Sequence, residues 1–162
     1  MKKIDLKISF EEYDSIEELN PEDKTILNTA CKMVNTAYAP YSQYYVGAAV
    51  LLENGKIITG NNQENVAYPS GICAERVAVF YASSQYPDVK IKSIAVSAKA
   101  INFKINHPVT PCGACRQVLA EYEDKQKSKI RIILKGDTGK IRIIKSVKDI
   151  LPMIFHADEL KK

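Results

Sequence analysis

The stretch from Tyr45 to Gly60, YVGAAVLLENGKIITG, holds two β-prone apolar runs on either side of Asn54-Gly55. Asn-Gly between such runs is a strong hairpin signal, because both residues tolerate the positive φ that the favoured two-residue turns require. An antiparallel pair is therefore expected early in the chain. The segments around it read differently. Pro21 opens a helical run in which Ile26, Leu27, Ala30, Met33, Val34 and Ala37 recur at helical spacing, and Pro40 stops it. Cys73 to about Ser84 predicts a second helix, anchored in the core by Val77 and Phe80. Cys112 to about Tyr122 predicts a third, with Val118, Leu119 and Tyr122 facing inward. Between these two helices Ile91, Ile94, Val96 and Ala98 mark a buried strand, and KIRIILKGDTGKIRIIKS supplies two more strands around Gly136–Gly139. A short helix near Val147 to Leu151 closes the order α-β-β-α-β-α-β-β-α. That order implies an α/β fold of three layers, α-β-α, around a mixed five-stranded sheet. With 162 residues the chain suits one domain with a substantial core.

Before the first helix, Ile4, Leu6, Ile8 and Phe10 alternate with polar residues, the pattern of a half-buried strand, and Glu11 to Glu18 reads as a loop or short helix. No apolar run approaches the length needed to cross a bilayer, and Asp5 and Lys7 interrupt anything resembling a secretory signal. A cytoplasmic location is expected. In that reducing compartment cysteines serve more often as metal ligands or catalysts than as disulfide partners. The net charge of +4 comes from scattered lysines rather than a basic block, so nothing argues for a nucleic-acid partner.

The four cysteines are not spread evenly. Cys112 and Cys115, in TPCGACRQVL, lie three apart where a helix begins, so both thiols fall on one face within reach of a single ion. Cys73, at another helix start, is the natural third ligand. Zinc suits such a set because it accepts tetrahedral thiolate coordination without redox chemistry. The positive end of a helix dipole stabilises a thiolate there by about 0.3–1 kcal/mol when exposed. Arg76, one turn on from Cys73, can donate to the thiolates and offset the net −1 left when three of them hold Zn²⁺. The other cysteine and histidine candidates are Cys31, read as a core thiol, and His107 and His156, read as solvent-exposed. Three protein ligands leave a coordination position open, as catalytic rather than structural zinc requires. Glu75 points about 200° around the helix axis from Cys73 and cannot readily ligate the same ion. At the helix N-terminus, however, its carboxylate can reach past the metal to water, where a proton shuttle belongs.

CAER, Cys73 to Arg76, followed by PCGACRQ, Pro111 to Gln117, resembles the paired signature of the zinc-dependent cytidine deaminases. The resemblance runs from about Glu22 to Phe155 and takes in AYAPYSQYYVGAAVL, NNQENVAY and ILPMIF, in the family's order. A cysteine as first ligand, rather than histidine, is similar to the small homotetrameric deaminases of free nucleosides. The resemblance implies one zinc per subunit and hydrolytic deamination of cytidine and deoxycytidine in pyrimidine salvage. Glu75 would take a proton from water and deliver it to N3 of the base and then to the leaving amine. By the same resemblance Asn62 and Glu64 would hydrogen-bond the ribose 3′-hydroxyl, Tyr44 would lie beside the base, and backbone groups around Ala74 would hold its polar edge. Phe155 would reach into a neighbouring subunit's site, and Tyr68 would contribute across an interface. Residues 1–20 exceed the compact pattern as an N-terminal extension, fit for a sheet edge or an interface. Tyr45 stands where proline is common and Asn61 where many members carry cysteine, and neither change touches a proposed catalytic group. Competing readings are deamination of a modified cytosine nucleoside, of blasticidin S, or of cytosine in nucleic acid, and a non-enzymatic structural zinc module. The pair Asn62 and Glu64 argues against blasticidin S, and Glu75 discriminates against the structural module.

Overall fold

In the computed structural model, which describes residues 1–155 and 160, one six-stranded sheet carries the elements in the order β1-β6-β5-β4-β2-β3. His156 lies outside the described residues. The strands are β1 (Glu11–Tyr13), β2 (Tyr44–Leu52), β3 (Ile57–Asn61), β4 (Ile91–Ala100), β5 (Arg131–Lys135) and β6 (Ile141–Ile144); the helices are α1 (Pro21–Met33), α2 (Ala74–Gln85) and α3 (Gly113–Gln126). The expected hairpin forms between β2 and β3, with Gly55 at φ 82 in its turn. Only β4 and β5 run parallel, so the sheet is mixed.

Period-two alternation assigns the sheet's two faces. Ala49 and Leu51 of β2 join Ala95, Ile133, Ile141 and Ile143 beneath Ile26, Leu27 and Ala30 of α1. On the opposite face Ala48, Val50 and Leu52 join Ile94, Val96, Ile132 and Leu134 beneath α2 and α3. Helices thus cover both faces, as expected of three layers. Cys31 is half-buried and packs against the first of these clusters.

Two expectations change. The sheet has six strands rather than five, and the sixth is not the alternating run. Residues 1–10 carry no regular secondary structure, and Ile4, Leu6, Ile8 and Phe10 are all exposed. It is Glu11–Tyr13, read as loop or short helix, that pairs with β6; only Ile16–Glu18 beyond it turns helically, under a capping box made by Ser15 and Glu18. Nor does Phe80 anchor α2: it is exposed and Val77 only half-buried, while Ala74, Glu75, Ala78, Val79 and Ala82 form the buried face. Small residues suffice there because the helix lies close on the sheet. A Cβ added at Gly60 of β3 would sit 2.6 Å from both Ala74 O and Ala78 N.

The connections set up the site. β3 and β4 are both antiparallel to β2, hence parallel to each other. The helices that follow them, α2 and α3, therefore both begin at the same end of the sheet, beyond the carboxyl ends of the strands, where open α/β sheets bind ligands.

Candidate metal centre and adjoining cleft

Cys73 and Cys112 are the N-cap residues of α2 and α3, both in extended backbone, and Cys115 lies in the first turn of α3. The helix starts fall one residue later than the spacing suggests, so Cys73 and Cys112 face out from the helix ends rather than along their sides. The three Sγ atoms lie within 4.8 Å of one another, with Cys73 and Cys112 3.9 Å apart. Tetrahedral zinc with Zn–S bonds of about 2.3 Å sets its sulfurs about 3.8 Å apart. The donor set and spacing fit zinc. Among the described residues no other histidine or carboxylate joins this cluster; His107 is exposed, beside Asn106.

The thiols do not titrate alike. The Cys73 thiol is lowered to about 5, chiefly by the hydrogen bond from Cys115 and then by Arg76 and Cys112, against the opposing effect of burial. Cys115, donating to Cys73 and buried, is pushed up. Arg76 Nη2 stands 3.7 Å from Cys73 Sγ, and its guanidinium is held more firmly charged by that sulfur. The Arg76 Nε is buried with no hydrogen-bond partner, so the group is committed to the sulfurs at a desolvation cost. Beside them Glu75 is only 5% exposed. Burial raises its pKa first, and the charge of Cys73 adds to that. A carboxyl held up in this way exchanges protons nearer neutrality than a surface glutamate does.

A cleft of about 810 Å³, in the size range of small-molecule sites, opens onto the sulfurs. Tyr44, Asn62, Glu64, Tyr68, Cys73, Ala74, Glu75, Arg76 and Cys112 all line it, and Cys115 lies buried beside Cys73. Asn62 does more than face the cleft. Its side-chain amide accepts from Val46 N (2.7 Å) and donates to Tyr44 O (2.9 Å), extending the β2 ladder beyond the end of β3. Glu64 accepts from Tyr41 N (2.9 Å), Ser42 N (3.2 Å) and the Ser42 hydroxyl. Burial opposes its ionisation, but these bonds win and hold the carboxyl below its usual range. Tyr44 is half-buried near Phe103, and desolvation followed by the charge of Glu75 raises its phenol. Tyr68 is exposed at the cleft, tilted against Tyr41 at 5.9 Å.

Phe155 is absent from this lining. Its side chain is 73% exposed, and its backbone is clasped by Gln117, which donates to Phe155 O (3.1 Å) and accepts from Phe155 N (3.2 Å). Sequence reasoning also missed Ser42, which fixes Glu64, and Arg116, which donates to Pro111 O (2.7 Å), Ile150 O (2.9 Å) and Thr110 Oγ1 (3.1 Å). Arg116 lay in full view within the PCGACRQ run, but a following-turn arginine gives no signal of which loop it ties.

Comparison with known proteins agrees with this geometry. The family described as the cytidine and deoxycytidylate deaminase zinc-binding region matches residues 20–128. A cytidine deaminase of Halalkalibacterium halodurans is 36% identical over 135 residues, spanning 83% of this chain and 95% of that one. One from Sporosarcina psychrophila is 42% identical over 124 residues, spanning 76% and 84% respectively. The crystal structure of cytidine deaminase from Burkholderia pseudomallei superposes with a TM-score of 0.69 at 35% identity, covering 81% of this chain and 97% of that chain. The zinc-fitting triad of thiols, the shared fold and the extent of these matches lead to one conclusion: the chain belongs to the cytidine and deoxycytidylate deaminase zinc-binding family.

Proposed function

We propose that the protein is a zinc-dependent hydrolytic deaminase that converts cytidine and deoxycytidine to uridine and deoxyuridine plus ammonia. The observation that carries this reading is a buried carboxyl, Glu75, placed beside three converging thiols at the wall of a cleft large enough for a nucleoside. Cys73, Cys112 and Cys115 would hold the ion. Zinc in that position supplies Lewis acidity that brings the pKa of water toward 7. Glu75 takes one proton from water and passes it to N3 of the pyrimidine as the oxygen bonds to C4; it then takes the remaining proton of that oxygen and passes it to the amine, which leaves as ammonia when the C4–N bond breaks. Its burial keeps water out of the transfer and its raised pKa suits a group that must both accept and donate. Arg76 balances the excess charge of the thiolates. Backbone groups around Ala74 orient the base beside Tyr44, and Asn62 with Glu64 binds the ribose 3′-hydroxyl. The fixed orientation of both side chains, tied to the β2 and 41–42 backbones, favours such a preformed contact.

Phe155 and Tyr68 are assigned to neighbouring active sites in a homotetramer; their exposure, and the absence of Phe155 from the lining of its own cleft, support a contribution in trans. The chain is one deaminase domain with residues 1–20 as an extension, acting in the cytoplasm in pyrimidine salvage; among the described residues no helix is long and apolar enough to cross a membrane. The test is a spectrophotometric assay of the purified zinc enzyme on cytidine, deoxycytidine, cytosine, adenosine, blasticidin S and oligonucleotides. Turnover of the first two is expected. Turnover confined to oligonucleotides or blasticidin S would overturn the assignment.

A further inference from the structure

The alternating run at the N-terminus has an apolar row and nothing to lay it on. Ile4, Leu6, Ile8 and Phe10 are 74%, 61%, 49% and 48% exposed. Phe10 alone has a neighbour of note, the Arg142 guanidinium 4.0 Å from its ring centroid. The sheet cannot accommodate the rest. In the antiparallel register of β1 on β6, Glu11 faces Ile143, so each step toward the N-terminus requires one residue further along β6. That strand ends at Ile144, and Ser146 already caps the turn Val147–Asp149. Residues 4–8 therefore run past the end of their own sheet, with a strand pattern and no strand left to pair with.

We infer that residues 4–8 pair antiparallel with the same segment of a second copy of this chain, centred on Leu6. Charge selects the partner and the register. In that register Asp5 faces Lys7 on both sides of the axis, Ile4 faces Ile8 twice, and Leu6 faces Leu6, so apolar and charged rows both match. Centring on Asp5 opposes Asp5 to itself and Lys3 to Lys7, and centring on Lys7 opposes two lysines. Pairing offset by one residue sets apolar side chains against charged ones, and a parallel in-register pair stacks like on like. The segment is self-complementary in one register. The ribbon continues from the open edge at β1, so it ties the sheets of two subunits together and covers exposed apolar surface on each. It does not depend on the proposed reaction.

Cysteine cross-linking of the zinc-loaded full chain reads the register directly. Directly opposed residues in an antiparallel pair have Cα atoms about 4.5–5.5 Å apart, within disulfide reach. Leu6→Cys should therefore form a covalent dimer under mild oxidation. Two copies of Ile4→Cys would stand four residues, or about 14 Å, apart and should cross-link at least about tenfold less, while a mixture of Ile4→Cys with Ile8→Cys should cross-link. Wild type supplies the blank for the four native cysteines. Adding Asp5→Lys to Leu6→Cys sets lysine against Lys7 and should suppress the dimer, and adding Lys7→Asp as well should restore it. Equal cross-linking of Leu6→Cys and Ile4→Cys, none by Leu6→Cys, or indifference to Asp5→Lys would overturn the inference.

Discussion

Gly60→Ala is a one-methyl probe of how the sheet positions the metal centre. The added Cβ would meet Ala74 O and Ala78 N at 2.6 Å and Ala78 Cβ at 3.1 Å. Ordinary contact begins near 3.4 Å, so α2 must retreat by about 0.8 Å. The first two contacts are backbone, which cannot rotate aside. Gly60 has no positive φ, so alanine would otherwise stabilise the strand by about 0.4–1 kcal/mol through the unfolded state. Overpacking of this kind costs about 1–3 kcal/mol and should reverse that sign. At about 2–4 °C per kcal/mol, the melting temperature should fall by a few to about ten degrees. The consequence for the site is larger. Cys73 and Glu75 ride on α2 while Cys112 and Cys115 ride on α3, so the retreat shifts Cys73 relative to Cys112, 3.9 Å away. A misplacement of about 1 Å can lower turnover by about 10²-fold. Gly113→Ala is the control, since its added Cβ meets nothing within 4 Å beyond its chain neighbours and the backbone of its own helix. Thermal unfolding at matched zinc content and kcat on cytidine decide the matter. A Gly60→Ala protein that melts and turns over like wild type would refute the close-packing argument.

Glu123 is 4% exposed and accepts from Ile130 N (2.7 Å), Val147 N (3.0 Å) and the Ser146 hydroxyl (2.8 Å), tying α3 to the strand and turn that follow. Glu123→Ala strands those donors and should lower stability by about 3 kcal/mol in denaturant titration; a loss below about 1 kcal/mol would contradict their burial. After chelation of zinc, Cys73, with its thiol near 5, should be alkylated ahead of Cys115 at pH 6, as followed by mass spectrometry. Because only the thiolate reacts, the rate of Cys73 alkylation should fall as pH drops through about 5, while the preference over Cys115 persists, and a Cys73 rate unchanged between pH 6 and pH 4 would contradict the assignment. Phe155→Ala should raise KM by about tenfold, a loss of about 1.4 kcal/mol, with kcat nearly unchanged. An unaltered KM in a verified oligomer would reject shared sites.

The parts of this fold that the sequence made legible are those whose signal is local. Asn54-Gly55 needs nothing beyond its own backbone preferences to make the turn, and Pro21 with Asn20 as N-cap starts α1 where expected. Cys112 and Cys115 announce their convergence by spacing alone. Properties that depend on distant partners were less visible. The alternation of Ile4 to Phe10 is a valid strand pattern, but whether it pairs depends on where β6 stops, more than a hundred residues later. Glu11–Tyr13 is too short and polar to advertise itself, yet its pairing is supported by Glu12, which Lys140 (2.8 Å) and Arg142 (3.0 Å) both contact. Phe80 reads as inward on hydrophobicity alone, but it is exposed, and the part of α2 that approaches Gly60 is made by Ala74 and Ala78. Within the site, nothing in the local sequence of Asn62 and Glu64 signals their bonds to the backbone of β2 and of residues 41–42, because those partners lie about twenty residues away.

The central claim is that Glu75 carries the protons for a reaction at the zinc held beside it. Glu75→Gln removes the titratable group while keeping its shape. Measured together, zinc per subunit and kcat on cytidine should give one ion retained and turnover lower by about 10²–10⁴-fold. A zinc-replete Glu75→Gln protein that deaminates cytidine within tenfold of wild type would contradict the account.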